Sequence, residues 1–207
     1  MNFLGHTHVA LVTGNDDPAY LLGAALPDLA PMARVRLPRA GLTGPIGAGV
    51  RCHVETDAAF HAHAAFRSGS GALRRTVADR GVASGPARAV GHAGWELLLD
   101  GTLVGTDVEA AFRGEIEAGE QVMPLLGHDD RARWARFLGR VRSGPGLHYD
   151  DPGWVAVRLH GMLVHRPRLR LPDHHVADVA DALTAAKGEV AAVAASVLAD
   201  TAGATVV

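Results

Sequence analysis

Apolar residues recur three and four positions apart along nearly the whole chain, and no convincing strictly alternating run appears. That period admits helices and leaves no segment for a sheet. The 207-residue chain is therefore expected to be all-α, a single compact domain of about eight helices. Within it, a first half would cover about residues 1–103 and a helical remainder about 104–207.

The punctuation places the helices. The first covers about 2–13, stopped by Gly14 and Asn15. The second starts at "DDPAYLLGAALPD", with Asp17 as cap and Pro18 in the first turn. Pro27 and Pro31 are expected to end it, leaving Asp28 at or near its C-terminal end. Residues 33–47, rich in Pro, Gly and Arg, read as a loop, and a long helix then runs from about Ile46 to Phe66. "SGSGALRRTVADRG" adds a short helix. The next begins with Ser84 as cap and Pro86 in its first turn. Further helices are expected near 107–126, 128–142 and 152–164, and at about 173–200 with Asp173 as cap.

"CHVETDAAFHAH", residues 52–63, carries three histidines and two acids in an alanine-rich helical segment. His53, Asp57 and His61 fall at i, i+4 and i+8 and share one helix face. Packing a hydrophobic core does not call for that. Three more clusters precede position 101: His6 and His8 in "GHTH", Asp28 in "LPD", and His92, Glu96 and Asp100 in "HAGWELLLD". HxxxD and HxxxE at helical spacing let two side chains grip one ion. The candidate metal ligands are His6, His8, Asp28, His53, Asp57, His61, His92 and Glu96. His6 and His8, two apart on a helix, point to different sides, so one of them is expected to bind. The set exceeds what one tetrahedral site needs, which implies two or more divalent ions. Neutral imidazole with carboxylate suits Zn first, with Mn or Fe(II) as alternatives.

Two metals close together are a common device for phosphoester hydrolysis. In that chemistry Asp28 serves as a ligand or as the base that orients water, and His8 or His63 can protonate the leaving oxygen. The most basic stretch, "VRLHGMLVHRPRLRL", holds Arg158, Arg166, Arg168 and Arg170. It is either a solvated helix end or a contact for phosphate or an acidic partner, with Arg166 the candidate substrate-binding residue. Twelve histidines occur in all. The six beyond position 101 sit at helix starts, in a loop or in the basic stretch, where ordinary surface roles suffice.

Composition narrows the classes. A formal net charge of −2 does not steer a chain toward nucleic acid or membranes. Cys52, the single cysteine, allows neither an internal disulfide nor a thiolate metal cluster. The opening "MNFLGHTHVALVTG" lacks a basic leader region, and no stretch was expected to reach the roughly 18–20 apolar residues of a spanning helix. The expectation is a cytoplasmic protein without membrane insertion.

These residues resemble two families. "MNFLGHTHVAL" is similar to the opening of the acyl carrier protein phosphodiesterases, a close variant of Met-Asn-Phe-Leu-Ala-His-x-His. "LLGAALPDL" resembles their second block, which leads to an aspartate, here Asp28. "GVRCHVETDAAFHAH" resembles their third, with His53 and Asp57 four apart and His61 and His63 following. "HAGWELLLD" sits where the family has an aspartate three residues before a tryptophan followed by Asp-His. The likeness covers about the first hundred residues. It implies an all-α, metal-dependent phosphohydrolase-like bundle, a divalent metal such as Mn, and acyl carrier protein as a candidate partner. His61 and His92 stand for family acids, and Glu96-Leu97 for the Asp-His pair. That exchange shifts the preferred metal toward Zn or Fe. The order His8, Asp28, His53/Asp57, His61 or His63, His92/Glu96 is also similar to the zinc-dependent phospholipase C group.

The leading expectation is a metal-dependent phosphodiester hydrolase. A phospholipase C-like hydrolase and a non-catalytic helical metal-binding protein are the alternatives.

Overall fold

The computed structural model describes residues 1–38 and 42–204. Every helix or other regular element among them is helical, as the three-and-four spacing requires. The α-helices are α1 (Phe3–Val12), α2 (Pro18–Ala33), α3 (Gly44–Ala62), α4 (Ala64–Asp79), α5 (Ser84–Gly101), α6 (Asp107–Glu117), α7 (His128–Ser143), α8 (Pro152–Leu163) and α9 (Val176–Gly203). Two 3₁₀ segments, Ala118–Leu125 and Asp173–His175, lie between them.

The chain groups into two compact units. The first comprises Met1–Ala59, Gly105–Gly146 and Leu198–Val207, the second Phe60–Val104 and Leu147–Val197. The units thus interleave along the sequence. α3 and α9 each run from one unit into the other.

In the first unit α1 packs on α2 and α6, and α2 also meets α7 and the 118–125 segment. Leu4, Leu22, Leu26, Leu29, Phe112, Ile116, Trp134 and Leu138 fill its core. Trp134 satisfies its one polar atom by donating Nε1–H to the Gly119 carbonyl at 2.7 Å.

α2 begins as expected, with Asp17 accepting the Ala19 N–H at 2.9 Å and Pro18 in the first turn. It does not stop at the prolines. Pro27 and Pro31 lie inside the helix, which ends only at Arg34 in the left-handed region. Each interior proline costs about 3 kcal/mol. Burying Leu21, Leu22, Leu26 and Leu29 contributes about 2 kcal/mol apiece, so packing outweighs the local rule. Asp28 consequently projects from a continuous helix rather than from a terminus.

α3 starts at Gly44, earlier than expected, so the described loop is residues 34–38 and 42–43; the expected loop positions 39–41 lie outside the described residues. Glycines set how near α3 comes to α2. A Cβ on Gly49 would lie 2.0 Å from the Tyr20 carbonyl oxygen, and one on Gly23 2.3 Å from that of Ile46. Backbone thus meets backbone, which carries His53 to the α2 carbonyls.

In the second unit α4 packs along α5, and α5 on α8. Gly69 makes room for Trp95, whose Nε1 would be 2.3 Å from a Cβ there. Phe60, Phe66 and Trp95 form an aromatic cluster with centroid separations of 4.6, 5.4 and 5.9 Å.

Several boundaries differ from the expected ones. The helix drawn to Phe66 breaks at His63, which turns extended (ψ 133) and accepts the Ala65 N–H at 3.2 Å as the N-cap of α4. Ser84 is the first residue of α5 rather than its cap; Ala83 holds that position with no side-chain bond. The helix expected to reach 126 tightens into 3₁₀ form at Ala118, next to Gly119, where a Cβ would lie 2.5 Å from Leu138. Asp173 lies in a 3₁₀ turn and pairs with His160 at 3.0 Å instead of capping a long helix.

One membrane expectation is also corrected. Residues Asp173–Gly203 are long and apolar enough to cross a bilayer, by length and composition only.

Candidate metal centres

The ligand candidates assemble into two groups, one in each unit. His6, Asp28 and His53 form the first, on α1, α2 and α3. His61, His92 and Glu96 form the second, on the end of α3 and the middle of α5. Within each group the ligand atoms lie within 4.8 Å of one another.

In the first group His6 and His53 are 1% and 7% exposed. Their rings stack at 3.9 Å between centroids. His6 Nε2 lies 3.8 Å from Asp28 Oδ2 and 3.8 Å from Asp57 Oδ1. Two atoms bonded to one ion at about 2.0–2.1 Å can be at most about 4.2 Å apart, so both carboxylates fall within reach of an ion held by His6. Asp57 also accepts from the Met1 amine at 2.7 Å.

Neighbouring groups settle which ring nitrogen faces the acids. His53 Nδ1 lies 2.7 Å from the Ala24 carbonyl oxygen, which can only accept, so Nδ1 carries the proton. The Thr56 hydroxyl donates to the Cys52 carbonyl at 2.8 Å and offers its lone pair to His6 Nδ1 at 3.4 Å. Neutral His6 and His53 thereby keep Nε2 lone pairs, the form a metal requires, oriented by outer partners.

The second group is tighter. His61 Nε2 to His92 Nε2 is 3.3 Å, His61 Nε2 to Glu96 Oε1 is 3.1 Å, and His92 Nε2 to Glu96 Oε1 is 3.3 Å. Donors sharing a tetrahedral zinc at about 2.0 Å are separated by about 3.3 Å. The three atoms therefore match one face of such a tetrahedron, leaving a vertex for water or substrate. Two imidazoles and a carboxylate with one open position are the ligand set of catalytic zinc and non-haem iron sites rather than of closed structural ones.

Burial alone would raise the Glu96 carboxyl, but hydrogen bonds with His61 and His92 outweigh it and hold the group well below the usual carboxylate range. Phe66 meets both imidazoles edge to face, at 5.0 Å from His61 and 5.2 Å from His92. The His92 side chain is about half exposed, so the group opens to solvent.

The other candidates fall elsewhere. His8 belongs to neither group among the described residues, and burial lowers its pKa. Of the two N-terminal histidines, His6 is the one grouped with other candidate ligands. His63 caps α4 through Nδ1. Asp100 is fully buried and outside both groups. Arg166 is exposed in the turn after α8, its N–H bonded to the Leu163 carbonyl. Reasoning from spacing missed Thr56, the Ala24 carbonyl and Phe66. Thr56, three residues after His53 on the same helix, carried a signal in its position; the other two are tertiary.

Compared with family models, curated proteins and solved structures, the chain matches none.

Proposed function

We propose that the protein is a metal-dependent phosphoester hydrolase, acting on phosphodiesters. The observation that carries this reading is the His61–His92–Glu96 triangle, with edges of 3.1–3.3 Å and an open side. A divalent ion bound there would supply Lewis acidity and bring water to nucleophilic strength near neutral pH. His61 and His92 bind through Nε2, and Glu96 through Oε1. His63, two residues beyond His61, accepts at Nδ1 and therefore holds its neutral-ring proton on Nε2, where it can serve a leaving oxygen. The motif resemblance supports the choice of phosphoesters over other hydrolysable groups.

His6, Asp28 and His53, with Asp57 in reach, would hold a second ion. The burial of His6 and His53 favours a structural role for that ion. If the second group likewise only stores metal, the protein is a binding protein without turnover.

The test is hydrolysis of bis-p-nitrophenyl phosphate and a phospholipid, side by side, by protein loaded with Zn, Mn or Fe(II). Turnover of the soluble diester that disappears in Glu96→Gln and His92→Ala supports the proposal. Preference for the lipid redirects it to a phospholipase C-like enzyme. Fully loaded, folded protein that turns over neither leaves the storage reading.

A further inference from the structure

Glu115 on α6 is fully buried, and the metal chemistry above does not use it. Its Oε1 lies 2.6 Å from the hydroxyl of Thr7 on α1, also fully buried. That hydroxyl is 3.1 Å from the Phe3 carbonyl oxygen, one turn back. Glu115 Oε2 is buried with no hydrogen-bond partner among the described residues.

Counting protons decides the state of this chain of groups. Thr7 has one hydroxyl proton, and the Phe3 carbonyl can only accept. An ionised Glu115 would make two acceptors compete for that proton and would leave a buried carboxylate oxygen unsatisfied, which is costly. A protonated Glu115 removes the first fault and eases the second, since the unpartnered oxygen no longer carries charge: its O–H donates to Thr7, and Thr7 donates to Phe3. Oε2 then remains as an ordinary carbonyl oxygen.

We propose that Glu115 is a positioning residue: as a neutral carboxylic acid donating to Thr7, it locks the first turns of α1 in the register that presents His6 to Asp28 and His53. α1 has no side-chain N-cap, since Asn2 makes no capping bond. The Glu115–Thr7–Phe3 relay, beside the stacking of Phe3 on Phe112 at 5.8 Å, ties its start to α6. His6 is the residue next to Thr7, so a slip of α1 moves His6 directly. The pKa agrees: burial pushes the Glu115 carboxyl up to about 8, only partly offset by the Thr7 hydrogen bond. The link to His6 rests on the metal reading of the first group; the protonation state does not.

The test is an infrared comparison of glutamate-labelled wild type and Glu115→Gln at pH 7. A carboxylic acid C=O band present in wild type and missing from the variant is expected; a carboxylate band at that pH overturns the proposal. In a His92→Ala background, Co(II) titration reads the first group. Glu115→Gln, whose amide can still donate to Thr7, should bind close to wild type, whereas Glu115→Ala and Thr7→Val weaken binding about tenfold or more, and Thr7→Ser restores it. If Glu115→Ala does not fold, Thr7→Val carries the comparison. Gln as damaging as Ala, or Thr7→Val without effect, overturns it. A parent that takes up no Co(II) removes the metal reading alone; the infrared band and the melting order Gln above Val still decide the role of Glu115.

Discussion

The Nε2 atoms of His61 and His92 face each other at 3.3 Å although the residues are 31 apart in sequence. Two neutral imidazole nitrogens at that distance can share at most one proton, and Glu96 adds a carboxylate oxygen at 3.1 and 3.3 Å. Phe66 and the α4–α5 packing hold the rings there. The three atoms form a candidate cation site.

The two groups should load separately. Elemental analysis of wild type is expected to give one divalent ion per group. His53→Ala should remove one and Glu96→Gln the other, with helical content retained by circular dichroism. Stoichiometry unchanged in both variants would contradict the assignment.

Gly49→Ala tests the α2–α3 approach. The added Cβ meets the Tyr20 carbonyl oxygen at 2.0 Å and the Ala24 N at 2.7 Å, neither of which can swing away. A loss of about 1–3 kcal/mol is expected from denaturant unfolding. The first group should also bind metal more weakly, because His53 leans on the Ala24 carbonyl.

Phe66→Leu keeps an apolar side chain in a buried position but removes the ring that meets both imidazoles. Stability should fall by about 1–1.5 kcal/mol, and metal affinity at the second group by about tenfold. Calorimetric titration beside a melting curve separates the two effects.

Stability against pH reads Glu115. Burial raises its folded pKa to about 8, above its ordinary value of 4.5. A raised acid pKa means that the folded state keeps a proton the unfolded chain has released. The contribution is therefore full below the unfolded value and is lost as pH rises to about 8. Relative to Glu115→Gln, wild type should lose up to about 1.4 kcal/mol per pH unit across that window. A difference that stays flat from pH 5 to 8 would show that the group is ionised when folded.

Much of the site was legible because helical spacing is local. His92 and Glu96 at i, i+4 did converge on one point, as did His53 and the neighbourhood of Asp57 with His6. The share of His61 was not legible. The i, i+8 pattern put it on one face with His53 and Asp57, but α3 crosses from one unit to the other near its end, and His61 joins α5 instead. Glu115 gave no signal either, since an acid in an amphipathic helix ordinarily reads as a solvated position.

The sequence by itself determined the all-helical class, the cap at Asp17 and the helical spacing that pairs histidines with acids, because each rests on contacts within about four residues. Tertiary structure alone decided the rest. It carried α2 through two prolines, grouped His61 with His92 and Glu96, brought His6 rather than His8 beside Asp28 and His53, and buried Glu115 against Thr7. Each of those outcomes depends on which apolar faces meet and how closely backbones approach, and such long-range packing energies outweigh the local preferences a sequence displays.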